Sequence, residues 1–556
     1  MSKSKPIAKR AYSTVINDTK RIAGRLGKNI KTLFPDIRRS YQETLADFKE
    51  RFKTLSASES ARKDFVTRIL LYSFISLLLA VALYAVSDLE TGAAEEYLNV
   101  IIPVFIITEI LIFFCELFKS NSIYTIICVA LIYFGVSIQL MIKHSTEKVT
   151  KLAASTLVLH ATVGVVAAVL LLPLLSYLTK KKLLSTVLSI LGSGGFYAIL
   201  TVLKLMGKSS SGTTAWVNIG GFSLQLTELT KILFVLSIAL IFSHPTISDK
   251  RKVFYSTAVF LFHTAFLFLT NEFGTLVVMF LVFIVYGLIY LKSVKKLAVS
   301  LLAIAIIAAG GVALCNSAYN ACYHEAYGET KSDISSLSNI FEEQTPEEIL
   351  AIRENEKQYV TVDEEGNTVN PLIEYEKAHP VQGTASKIYR KLYNRLAVML
   401  NYEKYKDNDN AYQVTQAKKQ LLVSDLLGNN YHQNVPVIES DYVFLYVISR
   451  MGAIVGIIVI FMLIAMFLAT TPVLLKRNDR FSAFGFGLVG CQVIQSLISA
   501  GNAICIIPTV GVPFAFLSLG GTSTMINFIT VLFIIYALKD DKKTVTAGNK
   551  EVIVNE

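Results

Sequence analysis

The chain has 556 residues, 53% of them hydrophobic and only 17% charged, with a mean hydropathy of +0.51. A soluble protein of that length would divide into several domains with polar surfaces, whereas apolar runs of roughly 18 residues or more recur here and mark an all-α polytopic membrane protein. The net charge of +11 reads as a topology and membrane-surface signature and argues against a nucleic-acid partner.

Residues 1–65 mix Lys, Arg and apolar residues at loosely helical spacing. They suit either an amphipathic helix on an anionic membrane surface or a solvated tail. They lack an apolar core near the start, so no cleavable signal peptide is expected. Twelve spans follow, at roughly 66–87, 99–117, 123–143, 152–178, 183–206, 223–243, 253–271, 273–292, 296–315, 442–471, 482–507 and 515–538. The basic tail "KRIAGRLGKNIKTLFPDIRRS" and the basic loops "LTKKKLL", "SHPTISDKRKV", "LKSVKKLA" and "LLKRNDRF" set one face as cytoplasmic. The acidic loop "SDLETGAAEEYL" falls outside, and so does "IKHSTEKVTK", whose lysines disagree with the scheme. Both termini are then inside, residues 316–440 form one large extracytoplasmic loop, and 539–556 are a cytoplasmic tail.

In that loop "FEEQTPEEILAIRENEKQYVTVDEEGN" reads as an acidic surface helix and a turn at Gly366-Asn367. "TASKIYRKLYNRLAVMLNYEKYKD" and "AYQVTQAKKQLLVSDLLG" read as amphipathic helices along the membrane face. Cys115, Cys128, Cys491 and Cys505 lie in apolar spans as small hydrophobes. Cys315 and Cys322 flank the outer end of a span, and a disulfide between them is left open.

Four polar clusters interrupt the apolar background. In "GTTAWVNIGGFSLQLTELTK" (212–231), Glu228 and Lys231 are three apart and share a helix face. They read as a structural ion pair or as the mark of a pathway. In "LTNEFGTLVVMF", Glu272 stands between two spans, and Gly274 allows close backbone approach. "IIPTVGVPFAFLSLGGTSTMINF" (506–528) carries prolines and glycines at membrane depth, so a re-entrant turn beside a polar pocket is expected. At 440–444, "SDYVF" puts Asp441 at the start of the tenth span. There it is either a helix cap, with Ser440, or a working carboxylate. P-loop, His-x-x-x-His and Cys-x-x-Cys patterns are all absent from the sequence. His160 and His263 read as packed side chains. Nothing suggests an organic cofactor, and a divalent cation is left open.

In order, these four stretches resemble the signature segments of the SEDS family (shape, elongation, division and sporulation; RodA, FtsW and SpoVE). The family's G-x-R-R-W-I…G-x-F…Q-P-S-E…K is similar to Gly212, Trp216, Gly221, Phe222, Gln225, Glu228 and Lys231. Its Q-P-D-x-G-T resembles Glu272, Gly274 and Thr275. Its P-x-x-G-x-P-x-P-F-x-S-x-G-G-S-S resembles Pro508, Gly511, Pro513, Phe516, Ser518, Gly520, Gly521 and Ser523. Its P-E-x-x-T-D-F-I-F resembles Pro436 and "SDYVF", and Gln495 falls where the family has Gln-x-x-x-Asn. There are departures. Thr214 and Ala215 stand for the paired arginines, Leu226-Thr227 for Pro-Ser, Glu272 for Asp and Val437 for Glu. The family's ten spans would run over 123–315 and 441–538, leaving 66–122 as a two-span N-terminal addition.

The resemblance implies peptidoglycan strand polymerisation at a bacterial cytoplasmic membrane, with lipid II as substrate and undecaprenyl diphosphate released. Asp441 would be the catalytic base. Lys231, Arg390, Arg395 or Lys418 would hold the diphosphate. Trp216, Gln225, Glu228, Lys231, Glu272, Thr275, Arg395, Ser518, Gly520, Gly521 and Ser523 would line the substrate site. It further implies membrane lipids as surroundings and a class B penicillin-binding protein, a single-span transpeptidase, as partner. Two other readings stand beside it: a transporter of lipid-linked precursors, which would call for inverted repeats, and a non-enzymatic scaffold of a cell-wall or spore machine.

Overall fold

The computed structural model describes residues 32–540 and 544–553, except 92–93, 146–153, 181, 206–215, 220–221, 271, 329–339, 341–360, 363–367, 407–408, 430–433, 478, 519 and 548–549. Apolar sequence at membrane depth must satisfy its backbone internally, and helices do so. Helix α1 (Leu33–Ala57) precedes α2 (Glu59–Thr91), α3 (Ala94–Leu117), α4 (Ser122–Ser145), α5 (Ala154–Lys180) and α6 (Lys182–Leu205). A two-stranded hairpin, β1 (Trp216–Ile219) and β2 (Phe222–Gln225), leads into α7 (Leu226–Phe242), α8 (Asp249–Leu269), α9 (Phe273–Tyr290) and α10 (Val294–Tyr327). The long segment between Tyr327 and Val443 contributes α11 (Pro371–Ala378), α12 (Pro380–Leu400), α13 (Tyr402–Tyr405) and α14 (Tyr412–Leu422). The chain re-enters the bundle as α15 (Val443–Met451), α16 (Ala453–Lys476), α17 (Arg480–Ala503) and α18 (Gly521–Ala537). Among the described residues, nine helices are long and apolar enough to cross a membrane, and α6 and α18 contribute shorter apolar stretches. The chain is an all-α polytopic membrane protein, but the expected count of twelve spans is not reached by these helices, and the expected spans 223–243, 482–507 and 515–538 each include strand or non-helical residues at one end.

Helix α17 is central, packed by α7, α9, α16 and α18. The N-terminal pair α2 and α3 is fastened to α4 by hydroxyls, where Ser76 and Thr108 meet the Tyr133 phenol at 3.0 and 2.9 Å. Such hydrogen bonds hold helices together where the hydrophobic effect offers little. Helix α1 packs along α5: the Ser40 hydroxyl donates to the Pro173 carbonyl at 2.9 Å and the Tyr41 hydroxyl to that of Leu170 at 2.6 Å. Over 33–57 the basic N-terminal segment is therefore helical, and residues 1–31 lie outside the described part.

Several expectations need correction. The tenth span does not begin at Asp441. It is broken at Gly452 (φ +96°), and a Cβ built there would lie 2.2 Å from the Leu426 carbonyl oxygen. Only glycine tolerates both the left-handed backbone and that approach. Residues 425–429 staple the break, since Asn429 N–H donates to Ser449 O at 2.9 Å and Ala453 N–H to Asp425 O at 3.2 Å. The ninth span runs on as helix to Tyr327, well past 315. Cys315 and Cys322 therefore sit seven residues apart on one helix and are free thiols. At 1.5 Å rise per residue they are roughly 10 Å apart, too far for a disulfide. The acidic loop helix and the Gly366-Asn367 turn fall outside the described residues, although the flanking Thr361–Val362 and Thr368–Val369 pair as antiparallel strands.

Candidate active site

The site grows from a tight turn. Val437 takes a left-handed φ of +52°, and its carbonyl receives the N–H groups of Ser440, Asp441 and Tyr442 at 3.1, 3.1 and 3.4 Å. The carbonyls of three consecutive residues are then each held by a different part of the bundle. Gln139 of α4 donates to that of Glu439 at 3.1 Å, Ser518 to that of Ser440 at 2.7 Å, and Asn502 of α17 to that of Asp441 at 3.1 Å. Tyr442, fully buried, meets the Thr509 hydroxyl at 3.2 Å. The N-cap of α15 is Tyr442, with no side-chain cap, so Asp441 is not the helix cap that its position suggested. Its backbone is fixed from three sides, and its carboxylate is not used to close the helix.

Electrostatics converge on this carboxylate. Burial pushes the Asp441 carboxyl up to about 6; Arg395 opposes the shift and Glu439 adds to it. Glu272, in the turn before α9, is pushed up to about 7 by burial, against the pull of Lys391. Arg395 and Lys391 both come from α12. Burial lowers Arg395 while Asp441 and Glu272 raise it, and burial with the neighbouring Arg395 brings Lys391 down to about 8. Two carboxylates and two cations thus act on one another in one cluster. Carboxylates raised in this way and set beside specific charges are a common mark of functional sites.

The segment between α17 and α18 is non-helical over 504–518, as the prolines and glycines suggested, and it forms a wall beside this cluster. A Cβ on Gly274 would lie 2.3 Å from the Val510 oxygen, while Asp441 Oδ2 is 3.5 Å from the corresponding point on Gly511. Residues 510–511 therefore pass between the Glu272 turn and Asp441. From beneath, the wall is tied by the Glu228–Lys231 pair, at 2.7 Å with both side chains about 95% buried. Lys231 also donates to Gln495 Oε1 at 2.5 Å, and Gln495 donates to the Pro513 carbonyl at 2.8 Å. Lys231 is thereby engaged on two sides within the bundle.

The remaining sequence-derived residues divide. Ser518 accepts from Phe514 N–H at 2.7 Å while holding Ser440, which makes it a positioning residue. Gln225 N–H donates to the Thr522 hydroxyl at 2.9 Å, joining β2 to α18. Thr275 and Ser523 are buried in the first turns of α9 and α18, and Gly520 and Gly521 open α18, with His160 packed against Gly521. Trp216 pairs with Gln225 across the hairpin, and Gly212 and Gly221 lie outside the described residues. Arg390 and Lys418 are occupied elsewhere in the loop: Arg390 pairs with Glu376 at 2.8 Å, and Lys418 lies 3.5 Å from the Tyr402 ring centroid. Sequence reasoning missed Lys391, Gln139 and Asn502. The signal for Lys391 was its place four residues before Arg395 on an amphipathic helix, and for Gln139 an amide within an apolar span.

The family model described as cell cycle protein, FtsW/RodA/SpoVE, matches residues 119–343 and 378–543. Among curated relatives, the probable peptidoglycan glycosyltransferase FtsW of Lactococcus lactis is 32% identical over 120 residues, 21% of this chain and 29% of that protein. The protein of the same description from Enterococcus hirae is 26% identical over 172 residues, 30% of this chain and 42% of that one. The chain thus matches less than half the length of these relatives. Among solved structures, a peptidoglycan synthase complex aligns with 75% of this chain and 97% of its own at 14% identity and a TM-score of 0.47. A variant of the Thermus thermophilus rod shape determining protein RodA aligns at 13% identity and a TM-score of 0.40, covering 74% of this chain and 95% of its own. The first matched segment contains the ion pair and the second the turn and the wall described above, and the chain belongs to the FtsW/RodA/SpoVE family of cell cycle proteins.

Proposed function

We propose that this protein is a glycosyltransferase that polymerises peptidoglycan strands from lipid II and releases undecaprenyl diphosphate, with Asp441 as general base. The observation that carries the reading is the Asp441 turn. Three helices and segments hold consecutive carbonyls around one carboxylate, and that carboxylate faces the charge of Arg395. Asp441 accepts the proton of the acceptor sugar hydroxyl as its oxygen bonds to the donor's anomeric carbon. The anomeric carbon–oxygen bond breaks, and the diphosphate leaves with the electron pair. Arg395 stabilises the charge developing there. Family membership supports the reading, as do the polytopic fold and a site made from outer-loop helix and bundle together.

On this reading the protein sits in the bacterial cytoplasmic membrane with both termini inside and residues 316–440 outside. A class B penicillin-binding protein is the proposed partner, docking on α9, α10 and the outer loop. The open face of α10 supports this, since Val299, Leu302, Ile306 and Leu314 are 62–75% exposed there. Purified protein supplied with lipid II, with and without a transpeptidase, tests the activity. Strand formation by the native chain and its loss in a folded Asp441→Asn variant are expected. Equal cell-wall function of native and variant chains would favour a scaffold.

A further inference from the structure

Helix α14 ends at Leu422, and the chain runs on through a non-helical loop, residues 423–429. Leu422, Leu426 and Leu427 are 85%, 63% and 80% exposed. Large leucines displayed together on a loop mark a surface made to be covered. The loop's backbone is closed off as well. Ser424 N–H donates to Leu421 O at 3.1 Å, Gly428 N–H to Asp425 O at 3.4 Å and Leu426 N–H to the Asp425 carboxylate at 2.7 Å. Ala453 and Ile454 N–H donate to the carbonyls of Asp425 and Leu426 at 3.2 and 3.4 Å, and the Asn429 side chain donates to that of Val423. A loop in water has no need of this, whereas backbone at the edge of hydrocarbon must have its polar groups met from within. Helix α16 sets the depth. Its 24 residues rise about 36 Å, enough to cross a hydrocarbon core of about 30 Å unaided, so Ala453 marks one boundary of the membrane. The loop is bonded to that end, and Leu426 meets Ile454, the first of an exposed apolar row on α16 that continues through Ile457, Ile458 and Phe461. Lys419, exposed and three residues before Leu422, stands on the same helix face, where a lysine stem lies along apolar surface and its ammonium reaches the head groups.

We propose that residues 422–428 are a lipid anchor: Leu422, Leu426 and Leu427 insert into the leaflet on the side of Asp441, and the anchor sets the depth at which the Asp441 turn stands. The occupant is the bilayer, because the patch continues the exposed face of a spanning helix at the level of its first turn. The one charged side chain of the loop, Asp425, is turned back onto the Leu426 N–H. Asn429 N–H is bonded to Ser449 O at 2.9 Å, so the loop also holds the last turn of α15. That helix is nine residues long and largely buried, and its N-cap is Tyr442, next to Asp441. The leaflet is thereby joined to the turn through a rigid element roughly 13 Å long. The depth-setting role rests on the glycosyltransferase reading, in which Asp441 meets a lipid head group at the membrane surface; the anchoring itself does not.

Trp216 is the only tryptophan of the chain, so Trp216→Phe gives a dark background for a fluorescent reporter. On that background the full chain carrying Leu427→Trp is placed in nanodiscs of phosphatidylglycerol and phosphatidylcholine with brominated acyl chains. Its emission should be blue-shifted, quenched by bromines near the head group more than by bromines near the chain end, and insensitive to aqueous iodide. Val381→Trp, at the exposed start of α12, should show the reverse. Where Leu427→Trp lowers the thermal transition, Leu422→Trp carries the same measurement. Quenching of the reporter by iodide and not by brominated lipid would put the loop in water and overturn the anchor. A reporter blind to both quenchers would mean that protein covers the patch, and would overturn it equally. Without the reporter, Leu426→Asn/Leu427→Asn should lower lipid II polymerisation in nanodiscs by about tenfold or more, since a misplacement of roughly 1 Å can cost about a hundredfold. Its thermal transition in detergent should stay close to native. Native rates in this variant would overturn the depth-setting role. Lipid quenching in a chain that never polymerises lipid II would keep the anchor and remove the reading behind that role.

Discussion

The hydroxyl of Ser518 donates to the carbonyl of Ser440 at 2.7 Å, one residue before Asp441. The same hydroxyl accepts the N–H of Phe514 at 2.7 Å, so one side chain joins the wall beside the cluster to the turn that carries the carboxylate. Ser518→Ala strips the half-buried Ser440 carbonyl and the buried Phe514 N–H of their partners at once, a cost of about 1–3 kcal/mol for the buried N–H and less for the carbonyl that water can reach. Activity should fall further than stability, because Asp441 loses one of its three backbone holders. Thermal unfolding and strand polymerisation measured on one preparation check this. A variant as active as the native chain would show that the Gln139 and Asn502 bonds alone are enough.

The Glu228–Lys231 pair should behave as a buried unit. Lys231→Ala leaves Glu228 charged inside the bundle and Gln495 without its donor. Breaking a buried pair at one end costs about 3–5 kcal/mol. A Glu228→Gln/Lys231→Met double variant should recover much of that, since both charges go together. Detergent-solubilised thermal stability reads the outcome. Single and double variants of equal stability would mean that the pair does not brace the wall through Gln495 and Pro513.

Much of the bundle was legible because apolar runs in a membrane have one backbone solution. Asp441, Glu272 and the Glu228–Lys231 pair stood out because charge beside hydrocarbon calls for a partner or a task. The break at Gly452 was not legible: "SRMGAIVG" carries no proline, and what interrupts the helix is residues 425–429 pressing on it from outside. The role of Lys391 was hidden for a similar reason. On an amphipathic loop helix every cation looks alike in sequence, and only the placement of α12 decides that Arg390 meets Glu376 while Lys391 and Arg395 face the two carboxylates. Gln139 and Asn502 act through backbone carbonyls far away in sequence, and such bonds leave no local pattern.

Topology can be read at Val381, which is 87% exposed at the start of α12. If 316–440 is extracytoplasmic, a cysteine placed there by Val381→Cys should react with a membrane-impermeant thiol reagent on intact cells. Cys322 is buried and should not compete. Labelling that requires permeabilised cells would put α12 and the whole charged cluster on the wrong side of the membrane for lipid II.

The pH profile tests Asp441 most directly. Its folded-state carboxyl titrates at about 6, above the ordinary 3.8, and a general base works only when deprotonated. Polymerisation should therefore fall by about tenfold per pH unit below 6 and level off above it, before Lys391, which titrates at about 8, begins to lose charge. Stability should move the opposite way. A carboxyl whose folded pKa is raised binds its proton more tightly in the folded state, so stability declines as pH rises from 3.8 to about 6 and is flat beyond. Glu439 adds to the shift by like-charge repulsion. Glu439→Gln should accordingly move the activity midpoint to lower pH while leaving the plateau rate close to native, because the contact that Gln139 makes is with the Glu439 backbone. A midpoint that stays in place in Glu439→Gln, or a native profile flat down to pH 4, would assign the titration to another group and remove Asp441 as the base.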